Sequence, residues 1–74
     1  MPRFFFDVSD GRAEFRDETG IDLPQHDIVE EARSLLRLLA HERRHAGRAV
    51  LVVADVRNEA GRIVFHATAT VGRG

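Results

Sequence analysis

Apolar and polar positions alternate with a period of two in four stretches of the chain, and in one longer stretch they recur at helical spacing. Arg3 to Val8 sets Phe4, Phe6 and Val8 on one face and Phe5 and Asp7 on the other, which predicts a strand. Ser9-Asp10-Gly11 then signals a turn, because glycine accepts the positive φ of tight hairpins. Ala13 to Arg16 predicts a short second strand with Ala13 and Phe15 inward. Asp17-Glu18-Thr19-Gly20 has aspartate at the first and glycine at the fourth position of a type I turn. Ile21 and Leu23 extend an edge segment until Pro24 ends it.

The helix begins at Asp27, which with Glu30 fits a capping box. Ile28, Ala32, Leu35, Leu36 and Leu39 form a single stripe, widened by Val29 and Ala40. Gly47 is the expected stop, with Arg43, Arg44 and His45 in the last turn, where cations suit the helix dipole. Ala49 to Arg57 predicts a third strand, with Val50, Val52, Ala54 and Val56 inward and Leu51, Val53, Asp55 and Arg57 outward. After the turn Asn58-Glu59-Ala60-Gly61, Arg62 to Val71 predicts a fourth. Its inward residues are Ile63, Phe65, Ala67, Ala69 and Val71; Val64, His66, Thr68 and Thr70 point outward.

The resulting order is ββαββ. One helix covers one face of a four-stranded sheet, so the expected fold is α+β, a two-layer sandwich in a single domain spanning residues 1–74. The first and third strands are the most apolar and belong in the centre, giving the antiparallel order 2-1-3-4. That arrangement leaves Phe5, Leu51, Val53 and Val64 on the uncovered sheet face. Four apolar side chains there predict a patch for a second copy of the chain or another protein.

Composition narrows the field further. The 74 residues contain no cysteine, and 43% are hydrophobic, enough for one modest core that has no disulfide to staple it. No apolar run is long enough to cross a membrane. Met1-Pro2-Arg3 leads straight into Phe4-Phe5-Phe6 with no signal-peptide pattern, so a cytoplasmic protein is expected. Residues 1–31 carry nine acids and three arginines, whereas residues 32–74 carry three acids and eight arginines. Arg33, Arg37, Arg44 and Arg48 fall together on the exposed side of the helical wheel. Such a stripe suits phosphates or an acidic surface, which gives anion or nucleic-acid binding as the alternative function. It has no aromatic neighbours for base stacking, and the chain is net acidic, with a charge of −1.

His41-Glu42-Arg43-Arg44-His45 has the H-E-x-x-H form of zinc metallopeptidases. On the wheel both histidines lie roughly opposite the apolar stripe. The longer metallopeptidase pattern requires glycine at 48 and histidine at 51, where this chain has Arg48 and Leu51. His66, a third ligand on paper, falls on the outward sheet face, away from the helix. A walled catalytic zinc site is therefore not expected, and no cofactor is implied. Ser9 and Ser34 have no evident catalytic partners, and Asp7, Asp17 and Asp22 sit at turns or strand edges. The expectation is a non-enzymatic module.

The segments "MPRFFFDVSDG", "FRDETGIDLP", "EEARSLLRLLA" and "VADVRNEAGRIVF" together resemble a family of short uncharacterised proteins, frequent in rhizobia and related alphaproteobacteria, grouped as a domain of unknown function. The likeness spans about residues 1–71. It implies a small free-standing bacterial domain and transfers no activity, cofactor or site residue.

Overall fold

The computed structural model describes residues 1–72. Its elements are β1 (Arg3–Ser9), β2 (Glu14–Phe15), β3 (Ile21–Asp22), a 3-10 turn (Gln25–Asp27), α1 (Ile28–Glu42), β4 (Val50–Arg57) and β5 (Ile63–Val71). All strand pairings are antiparallel. One helix packs on one sheet, the α+β two-layer arrangement that the alternation predicts.

The sheet order differs in detail from the four-strand expectation. It runs β2-β1-β4-β5, and β3 is a fifth strand that also pairs with β1. β2 meets β1 at Val8 and Ser9, while β3 meets it at Phe4 and Arg3. Two short pieces thus share one long edge, with the Asp17 turn between them.

The inward residues of β1 and β4 make the core with α1. Val50 is 2% exposed, and Val52, Ala54 and Val56 are fully buried. Phe4 and Phe6 pack with Leu23, Ile28, Ala32 and Val56; Leu36 packs with Val50, Val52 and Ala54. Ala32, with the smallest side chain of the stripe and fully buried, lets the helix approach the strands closely.

Four local expectations are corrected. Asp27 takes a helical conformation, φ −97° and ψ −5°, so its carboxylate does not cap the helix and no capping box forms. The 3-10 turn after Pro24 takes over that entry, with the Asp27 N–H donating to the Pro24 carbonyl. The helix stops at Glu42, well before Gly47, as the Arg43 N–H forks to the Leu39 and Ala40 carbonyls. Phe15 is 66% exposed, because β2 is too short to be drawn under the helix. Ile63 opposes Arg57 on the outward face, against the inward position that its period predicts. The cause is a bulge: Phe65 pairs with Val56 and Ile63 with Arg57, leaving Val64 as the extra residue.

Candidate functional site

No element covers the second sheet face among the described residues. Cross-strand partners share a face, so strand register maps this surface row by row. Phe5, Arg57 and Ile63 form one row; Asp7, Asp55 and His66 the next; Ser9, Val53 and Thr68 the third. Leu51 and Thr70 complete it.

Two carboxylates, Asp7 and Asp55, stand directly opposite each other. Facing like charges destabilise a sheet unless each finds a counter-group. Arg57 supplies one, its Nε donating to Asp7 Oδ2 at 2.6 Å and its Nη2 to Asp7 Oδ1 at 3.1 Å. The same Nη2 donates to the Asp17 carbonyl at 2.8 Å. The guanidinium lies over the Phe5 ring, 5.1 Å from its centre, within cation–π range. Arg57 holds the Asp7 carboxyl below the ordinary aspartate range, and Asp7 in turn raises the Arg57 guanidinium. Asp55 has His66 Nδ1 2.5 Å from its Oδ1.

Asp17 extends this network to the β1 edge. Its Oδ2 accepts the Phe6 N–H, and its Oδ1 accepts those of Thr19 and Gly20. Phe6 lies between the stretches of β1 that β2 and β3 cover, so the carboxylate stands in for a missing strand. Burial raises the Asp17 pKa, but the three N–H donors outweigh it and leave the group below its usual value. Gly20, at φ +79°, follows from the same turn, since a Cβ there would come within 2.9 Å of the Arg3 and Phe5 side chains. "FRDETG" is thus a structural motif. "VRNEAG" looks like it because Asn58 Oδ1 accepts the Ala60 and Arg62 N–H groups in a second side-chain-closed turn.

Of the four residues expected on this face, Leu51 and Val53 lie together at one end. Phe5 on β1 and Val64 on β5 lie toward the other, with β4 between them. The charged row of Asp7 and Asp55 divides the apolar ground. Register alone could have located that division, since Asp7, Asp55 and Arg57 occupy outward positions of the two central strands. A hollow of about 400 Å³ opens at the division. Phe15, Val53 and Ile63 supply its apolar lining, and Asp7, Asp55 and Arg57 its polar lining. Sequence reasoning missed Ile63 as a member of this surface, and missed that Phe15, paired with the inward Val8, reaches the rim of the hollow.

The arginine stripe does not stay on one helical face. Arg33 and Arg37 lie on α1, whereas Arg44 and Arg48 follow its end. Arg37 Nη2 contacts Glu30 and Ser34, and Arg44 Nη1 folds back on the His41 carbonyl. Arg43 leaves for the β1–β2 turn, where its Nε donates to Asp10 Oδ2 at 2.6 Å. His41 lies in the last helical turn and His45 beyond the helix, so the i, i+4 geometry of a helical zinc motif is not formed. His66 is bound to Asp55 on the opposite sheet face. Among the described residues, no three histidine or carboxylate side chains converge as a metal-holding group.

The chain matches the family described as Domain of unknown function (DUF6894) over residues 3–70, and it belongs to that family. No curated protein and no solved structure matches it. No helix of the described residues is long and apolar enough to cross a membrane.

Proposed function

We propose that this member of the family is a non-catalytic protein-interaction module whose open sheet face receives a protein partner. One observation carries the reading: Ile63, Phe15 and Leu51, each more than half exposed, stand around or beside a hollow with an arginine anchored in its wall. Apolar groups flanking a fixed, paired arginine are the composition of an interface hot spot, where burial supplies affinity and the polar groups supply orientation. The polar groups here are engaged with one another, Asp7 with Arg57 and Asp55 with His66. That arrangement supports recognition rather than acid–base or nucleophilic work.

The test compares capture from the native cell by three immobilised proteins: wild type, Phe15→Ser/Ile63→Ser and Arg33→Ala/Arg37→Ala. A partner that binds wild type and the arginine variant but is lost with the face variant is the expected result. Loss with the arginine variant alone would transfer the function to the helix.

A further inference from the structure

The two edges of the sheet are built differently. On one side β1 is covered by two-residue strands, by the Asp17 carboxylate, and by Leu23 and Ile28, which close the core. On the other, β5 is the longest strand of the sheet, and only β4 pairs with it among the described residues. Its bulge lies at the start, so Phe65 to Val71 runs in unbroken register. Natural edges are blunted by proline, inward charges or lysine. Residues 65–71 contain none of these; their one titratable group, His66, is bonded to Asp55.

The core is also open along this edge. Phe65, Ala67, Ala69 and Val71 pack against the core clusters, yet all four are only partly buried. Their neighbours one strand inward, Val50, Val52, Ala54 and Val56, are at most 2% exposed. The chain exposes 5081 Å², where a compact monomer of 8.3 kDa exposes about 4,600 Å². The excess of about 500 Å² approaches one partner's share of a small interface.

We infer that β5 is the seam of a homodimer, two copies pairing antiparallel through residues 65–71 about a two-fold axis at Thr68. The strand is self-complementary in that register. Phe65 opposes the second copy's Val71 and Ala67 opposes its Ala69 on the core side, matching large with large and small with small. On the open side Thr68 meets itself and His66 meets Thr70, with no like-charge contact. Aromatic with β-branched and threonine with threonine are stabilising cross-strand pairs. A two-fold axis at Ala67 would instead set Phe65 against alanine. Pairing closes the half-open core and joins the two open faces into one surface. The inference is independent of the partner reading, because it uses the edge and leaves the face free.

The experiment measures mass by sedimentation equilibrium up to about 0.5 mM, where even a weak association registers. Wild type is expected at twice 8.3 kDa. Thr68→Lys, at an exposed site, sets like charges together at the axis and is expected to weaken the dimer at least tenfold, whereas Leu51→Ser/Val53→Ser is expected to leave it intact. Because the natural chain has no cysteine, Thr68→Cys supplies a second measurement that does not depend on how lysine is tolerated. It is expected to oxidise to a covalent dimer, while Arg33→Cys on the helix is not. A wild type that stays monomeric at the highest concentration overturns the inference, including when it takes up a foreign strand along β5. So does a dimer lost in Leu51→Ser/Val53→Ser but kept in Thr68→Lys, or Thr68→Cys cross-linking no faster than Arg33→Cys.

Discussion

Arg57 on β4 grips Asp7 on β1 with two hydrogen bonds, 2.6 and 3.1 Å, in the centre of the uncovered sheet face. The pair ties the two central strands and, through the Asp17 carbonyl, the loop that guards the β1 edge. Both side chains are largely shielded from water, at 13% and 21% exposure, so losing one partner strands the other. Arg57→Ala is therefore expected to lower the melting temperature more than Arg33→Ala does. Thermal unfolding followed by circular dichroism measures the difference, and equal melting temperatures would mean that the pair contributes nothing.

Asp17→Ala removes the acceptor for the Phe6, Thr19 and Gly20 N–H groups together. The expected loss is about 2 kcal/mol by urea unfolding, because Phe6 sits in the core and its N–H has no strand to turn to. A change below about 0.5 kcal/mol would show that water serves the edge as well as the carboxylate does.

Gly20 and Gly61 both have positive φ, +79° and +84°, but only Gly20 has neighbours where a Cβ would go. Gly61→Ala is expected to cost about 1 kcal/mol from backbone conformation alone. Gly20→Ala should cost more, since the Arg3 and Phe5 side chains must shift as well. Equal effects would rule out the crowding.

Acid should unfold the protein through its aspartates. The carboxyl of Asp7 is lowered chiefly by Arg57, and that of Asp22 chiefly by Arg3. Asp10 is lowered first by the Ala13 N–H, then by Arg43 and the Arg12 N–H. In Asp17 the N–H donors outweigh burial. Folded values below the unfolded ones contribute stability that is complete above the unfolded value, about 3.9, and lost as pH falls through the folded ones. Melting temperatures should hold near neutral pH and drop below about pH 4. Asp10→Asn, which keeps an acceptor but loses the charge, should flatten part of that drop. A melting temperature that rises on acidification would contradict the sign.

The alternation of apolar residues was enough to place β1, β4, β5 and the helix, because each turns one apolar face toward the core and a one-residue slip would turn it away. Val50, Val52, Ala54 and Val56 are both the alternating set and the buried set. What pattern could not supply lay where side chains replaced backbone pairing. Asp27 fits a capping box as a sequence, yet Pro24 opens a 3-10 turn that carries the aspartate into helical conformation. Ile63 reads inward by period, and one bulge turns it outward. The open-face residues Phe5, Leu51, Val53 and Val64 were legible as outward positions. The division between them was not, because it depends on Asp7 and Asp55 meeting across strands that are distant in sequence. The arginine stripe extended a helical wheel past the point where Arg43 ends the helix.

If the open sheet face is the working surface, site-specific photocrosslinking in the native cell will find the partner there. A photoreactive residue is placed in turn at Leu51 and Val64 on that face, and at Arg33 and Arg48 on the helix side. Discrete adducts from 51 and 64, with none from 33 and 48, are the predicted result. Adducts from 33 or 48 with none from the sheet face would move the working surface to the helix.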